Sequence, residues 1–317
     1  MCIQLFPRQW PVAAGLFLCV SGSLCAQELV RPQFETAQQT TNLAPVQVSK
    51  KQETVSAMDQ AVLSNNTGDL GEQWIYQSKE TPKSFTAVAE VSAWHTSNVA
   101  LTSRNALDDN YFVGQLAVTW QHPLAKSVVF DISLQQAFFR YNEYSQLNFD
   151  SLNAGFGLTG QTTFLGGTSW YARYNFNRLT AENYGSELYT SHSLLVGGQK
   201  VFQLSRADSL FLGGSAQVNF ADPAELERRE YALYGGYALA VTRSISCDAI
   251  YRAAIYDYNQ TDRTDLNQTL SIGVHWHPLE VLTISGSVSG ALNRSDKAVF
   301  DYDLLTAGAT LSVNYQF

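Results

Sequence analysis

The chain has 317 residues and carries 28 acidic against 20 basic side chains, a formal net charge of −8. That balance excludes nucleic acid as a partner, because phosphate binding needs a basic face. Of the four cysteines, Cys2, Cys19 and Cys25 lie within the first 26 residues and only Cys247 comes later, so a disulfide framework and a cysteine zinc site are both excluded for the remainder.

Residues 1–26 read as a secretory signal. Arg8 supplies the positive region and "PVAAGLFLCVSGSLCAQ" an apolar stretch that ends in small residues, with cleavage expected after Ala26. No other stretch holds 18 consecutive apolar residues, so no transmembrane helix is expected after processing. Residues 27–82 are polar, rich in Gln and Thr, and interrupted by Pro32 and Pro45. They read as a short periplasmic leader or as a plug for the rest of the chain. A short helix is predicted at about 51–63, where Val55, Met58 and Val62 share a face and "NNTG" stops it.

From there to the end, residues 83–317 repeat one pattern. Alternating segments are predicted at 84–95, 110–121, 127–140, 150–161, 169–177, 188–200, 209–220, 230–241, 245–257, 268–277, 281–292 and 304–317. In the third, Val128, Phe130, Ile132 and Leu134 oppose Asp131, Ser133 and Gln135. In the eleventh, Leu282, Ile284 and Val288 oppose Thr283, Ser285, Ser287 and Ser289. A soluble sandwich alternates too, but it shows charge to bulk water. This polar face is mostly Ser, Thr, Asn, Gln and Gly, which suits a hydrated barrel interior. In lipid every backbone N–H and C=O must pair within the protein, and a closed sheet achieves that with no edge. The predicted fold is therefore all-β: a transmembrane antiparallel up-and-down β-barrel of about twelve strands, with an even count as in bacterial single-chain barrels.

The connections alternate in length. "TSNVALTSRNALDDN", "NRLTAENYGSE" and "NRSDKAVFDYD" belong to a longer set, and "HPLAK", "TRS" and "HPLE" to a shorter one, as external loops and periplasmic turns do. Trp120, Trp170, Trp276, Tyr315 and Phe317 have apolar-face parity near the short turns, where an aromatic girdle belongs. Phe138, Phe176, Phe220 and Tyr231 match them near the long loops.

The terminal "TLSVNYQF", with Phe317 last and Tyr315 two before it, resembles the end of bacterial outer-membrane β-barrel proteins. "HTSNVALTSRNALDDNYF" and "NRSDKAVFDYDLLTAGATLSVNYQF" are similar to porin-type barrels of that group. The resemblance implies an outer-membrane location among lipids and lipopolysaccharide. It also implies that Tyr315 and Phe317 form the signal read by the barrel-assembly machinery.

Chemistry has few candidate sites. Long-loop segments carry sixteen carboxylates, Asp109, Asp150, Glu230 and Asp265 among them, against seven cations that include Arg228 and Arg263. Such a mouth favours cations or neutral solutes and offers divalent cations a bridge to lipopolysaccharide. The predicted inner wall has five charges, Glu90, Asp131, Arg173, Asp248 and Arg252, which either line a pore or pack as struts. The function expected is porin-like passage of small cationic or neutral solutes, with a non-conducting structural or adhesive barrel as the alternative. A second alternative is enzymatic. "HTSNVA" resembles the H-x-S-N-G stretch of outer-membrane phospholipases, which would make His95 the base, Ser97 the nucleophile and Asn98 their neighbour, although Val99 stands where that motif has Gly. His275 and His277 share a face near a short turn, but no third ligand is visible beside them, and neither a metal nor a cofactor is expected.

Overall fold

A computed structural model describes residues 84–162 and 167–317. The signal at 1–26, the leader or plug at 27–82 and its helix at 51–63 lie outside the described residues. Twelve strands succeed one another: β1 (Phe85–Thr96), β2 (Asp109–Ala125), β3 (Val128–Tyr141), β4 (Phe149–Thr162), β5 (Thr168–Ala181), β6 (Glu187–Gln203), β7 (Asp208–Asp222), β8 (Arg228–Ala240), β9 (Ile245–Tyr258), β10 (Arg263–Leu279), β11 (Leu282–Ser295) and β12 (Tyr302–Gln316). Each pairs antiparallel with its sequence neighbours, and β1 pairs with β12, so the sheet is a closed barrel. At the seam, Thr86 faces Gln316, and Phe85 and Phe317 exchange backbone hydrogen bonds of 3.0 Å in both directions. Their rings stack at 5.5 Å. The apolar row of the final strand thus has a pairing partner along its whole length.

Strands of 14 residues are common in this barrel. At about 3.3 Å per residue they run about 46 Å, or about 35 Å once tilted by about 40°, enough to cross a hydrocarbon band of about 25 Å with both ends in the interfaces. The strands outrun the predicted segments at the long-loop end. β5 continues to Ala181, β8 starts at Arg228 and β10 at Arg263. Charge-rich sequence reads as loop, but in these stretches successive side chains go to opposite walls and the ladder continues.

Alternation sets the two walls. Leu116, Leu194, Leu233 and Ile272 point out and are 55–73% exposed. They belong to an apolar belt running round every strand, far larger than the patches a soluble monomer leaves bare. Trp120, Trp170, Trp276, Tyr315 and Phe317 all point outward near the short turns. Above the belt at the loop end, outward side chains pair instead: Arg140 with Asp150 at 2.7 Å, Arg178 with Glu187 at 2.7 Å and Arg294 with Asp303 at 2.6 Å.

The inner wall is uneven. At the loop end its side chains are buried, while at the turn end most are half-buried. Two glycines show how closely the inner layer packs. Tyr171 of β5 lies on Gly197 of β6, where a Cβ would sit 2.4 Å from the ring, and Tyr234 of β8 lies on Gly213 of β7, where it would sit 2.5 Å away. The two phenols then meet at 3.2 Å, a brace spanning the two strands between them.

Candidate functional site

The barrel interior is the site, and it has two parts. On one side of the loop end Tyr111, Val113, Phe139, Tyr141, Phe149, Leu179 and Tyr189 project inward and form a buried cluster. Phe139 stacks on Phe149 at 4.3 Å. Three connections reach in to meet the inner wall. The β1–β2 connection, which the sequence places outside as a loop, folds into the bore. Val99 joins the cluster just described, and Leu101 packs with Ala291, Tyr302 and Leu304. Leu101 takes a left-handed backbone (φ 48°), which a side chain of its size adopts at a cost of about 1 kcal/mol. Leu226, on the turn Ala224–Leu226, joins the first cluster. Phe300, on the turn Ala298–Phe300, meets Arg263 of β10.

That last contact ends a ladder on the opposite side of the bore. The Arg263 guanidinium lies between Phe300 and Tyr258, 3.8 Å and 3.7 Å from the ring centres. Arg228 lies 4.0 Å from the Tyr256 ring and 5.8 Å from that of Tyr258, and Arg252 stands 5.9 Å from Tyr256. Glu230 bridges Arg228 and Arg252, and Asp265 lies beside Arg263 at 3.4 Å. Alternating cations and rings repay the burial of charge through ring quadrupoles and ion pairs together. The structure corrects the reading of Arg228, Glu230, Arg263 and Asp265 as loop charges: they are inner-wall strand residues. Asp109, also assigned to a loop by its sequence, is buried on the inner wall and accepts hydrogen bonds from the backbone N–H groups of Asn110, Glu143 and Tyr144. In the loop beside it the phenol of Tyr144 is pushed above its usual range, first by lost solvation and then by Glu143, Asp109 and Asp108.

The five inner-wall charges expected from sequence all face the bore, but at separate places. Arg252 belongs to the ladder. Arg173 pairs with Asp131 at 2.7 Å, reaching across Gly157 of β4. Asp248 meets His275. Glu90, between Gln115 and Ser312 on the neighbouring strands, forms no ion pair or hydrogen bond among the described residues. Around these charges the turn-end wall is neutral and polar. Toward the turns Thr119, Ser133, Thr159, Gln199, Ser285 and Thr310 are half-buried, while Gln135 donates to Gln115 at 2.9 Å at mid-height and Asn177 to Asn153 at 2.5 Å closer to the loop end.

The residues of the phospholipase-like stretch do not form a dyad. His95 points outward and its ring hydrogen bonds Asn110 at 3.1 Å. The Ser97 hydroxyl accepts the Leu305 backbone N–H at 2.9 Å. Asn98 is a buried pin, donating to the carbonyls of Thr102 and Asp303 and accepting from the Thr102 N–H. It fixes the inward turn of the β1–β2 connection.

No protein-family profile matches the chain, and no curated protein matches it. Solved structures do resemble it. An outer membrane channel from Pseudomonas putida F1 superposes with a TM-score of 0.55 at 10% identity, covering 77% of this chain and 100% of the channel. The beta domain of the Bordetella autotransporter BrkA gives a TM-score of 0.49 at 11% identity, covering 74% of this chain and 100% of that one. The likeness to the Pseudomonas channel is one of fold, the closed antiparallel barrel of outer-membrane proteins.

Proposed function

We propose that the protein is an outer-membrane channel of porin type, its loop end outside, that passes small cationic or neutral solutes. The observation that supports this most is the turn-end wall: a bore lined mainly with hydroxyls, amides and a few charge pairs, most of them half-buried. A greasy outer wall around a wet inner one is what a lipid-embedded passage requires. The fold shared with an outer membrane channel is consistent with it. Glu90, Asp131, Arg173, Asp248 and Arg252 tune the bore, and the acidic loops bias its mouth toward cations. The outward Arg–carboxylate pairs at the loop end lie where lipopolysaccharide headgroups and their divalent cations sit, the aromatic row near the turns anchors the other interface, and Tyr315 and Phe317 are read by the barrel-assembly machinery.

In this reading the outer end is closed at rest by the β1–β2 connection, Leu226 and Phe300, and conduction requires them to move. The packed loop end also favours a second reading, a barrel that conducts nothing. Planar-bilayer recording of the purified protein separates the two. Stepwise conductance, with a reversal potential in a KCl gradient on the cation-selective side, is expected. Silence in the wild type and in a variant whose outer packing has been loosened would reject the channel.

A further inference from the structure

Three side chains at the turn end carry an arrangement with its own chemistry. His275 of β10 faces Ser285 of β11 in register, and its Nδ1 lies 2.9 Å from the serine Oγ. Its Nε2 lies 2.5 Å from Oδ1 of Asp248 on β9. Asp248 faces Gly273, not His275, so its carboxylate reaches diagonally over the glycine. A Cβ at Gly273 would come within 3.0 Å of both Asp248 Oδ1 and His275 Nε2. The bare backbone at Gly273 is what lets the three groups meet. The site is open to the bore: His275 and Asp248 are 34% and 22% exposed. Thr310 lies opposite Ser285 on β12, and Ser287 is the next inward residue of β11, so two further hydroxyl donors flank the serine.

We propose that Ser285, His275 and Asp248 form a nucleophile, base and orienting acid for acyl transfer, acting on small carboxylic esters of polar alcohols that enter the bore from its turn end. A hydroxyl becomes a competent nucleophile when a base within hydrogen-bond reach takes its proton and a carboxylate fixes that base's tautomer. With the proton on Nε2 held by Asp248, Nδ1 is the acceptor for the Ser285 hydroxyl. As Oγ bonds to the ester carbonyl carbon, its proton passes to Nδ1 and the carbonyl π pair moves onto oxygen, where the Thr310 and Ser287 hydroxyls can donate. Collapse breaks the carbon–alkoxide bond, and the alcohol leaves with the proton from Nδ1. Water then adds to the acyl-serine, giving its proton to Nδ1, and the carboxylic acid departs as Oγ recovers that proton. No oxidant, reductant or metal is needed. The neutral polar wall selects hydroxylated substrates over lipid acyl chains, and the site is independent of whether the outer end opens.

The test uses full-length mature protein folded in detergent micelles. A fluorophosphonate probe followed by peptide mass mapping is expected to place the adduct on Ser285, and p-nitrophenyl acetate hydrolysis should fall at least about 100-fold in Ser285→Ala and His275→Asn. Asp248→Asn should lower turnover with little change in KM. Ser289→Ala, on the same strand and given no part in the chemistry, should retain labelling at Ser285. Circular dichroism of each variant confirms the barrel is folded. Absence of an adduct on Ser285 in the folded wild type, an adduct that moves to another serine, or hydrolysis unchanged in Ser285→Ala would each overturn the assignment.

Discussion

Glu230→Gln probes the ladder directly. Glu230 bridges Arg228, at 3.3 Å, and Arg252, and the three side chains are 8%, 2% and 6% exposed, so solvent screens none of the exchange. The amide keeps the shape and removes the negative charge between two buried guanidiniums. Removing one partner from a buried ion pair costs about 3–5 kcal/mol. With a urea slope of about 3 kcal/mol per molar, the unfolding midpoint should fall by about 1–1.7 M. The loss is local to the ladder, and the ladder holds Phe300 through Arg263, so the outer end should loosen before the barrel unfolds. In planar bilayers the variant should spend more time conducting than the wild type. A midpoint and a conductance record both indistinguishable from wild type would refute the reasoning, because the bridge would then be neither stabilising nor closing.

Other expectations rest on particular contacts. Gly197→Ala places a methyl within 2.4 Å of the Tyr171 ring and should cost about 1–3 kcal/mol, measured by urea unfolding, with much of that cost recovered in the double variant with Tyr171→Ala. Deleting Phe317 removes the reciprocal hydrogen bonds and the stack with Phe85, and should lower the fraction of folded, heat-modifiable barrel recovered from membranes. Asp131→Asn removes the partner of Arg173 from a wall that otherwise keeps its acids, and should shift the reversal potential toward anions; an unchanged potential would place that pair outside the permeation path.

Much of the fold was legible because lipid and lumen impose opposite demands on neighbouring residues. Val128, Phe130, Ile132 and Leu134 against Asp131, Ser133 and Gln135 fixes both strand and wall, and the observed walls agree. The loop-end interior was not legible. Tyr111, Phe139, Tyr141 and Phe149 are aromatic on the inner wall, so the contrast between faces that marks a strand elsewhere is lost there. Arg228, Glu230, Arg263 and Asp265 sit in runs of charge that resemble solvated loops. One signal was present: counted by twos along their own strands from Ala232 and Tyr234 and from Asn267 and Thr269, they fall on the inward parity. The Ser285–His275–Asp248 contacts depend on the register of β9, β10 and β11, and neighbouring registers of the same alternating strands would part them.

The difference between the two halves of the bore has a mechanical consequence. Where rings and guanidiniums interlock across the interior, the wall is held as a rigid collar that resists being squeezed oval. Toward the turns fewer side chains interlock, the Tyr171–Tyr234 brace and the buried Phe211 and Ile250 beside it apart, so the wall there is the more compliant skirt. Deformation imposed on the protein, by a shift in membrane thickness or by an arriving solute, is therefore expected to be taken up more toward the turns than at the opposite rim.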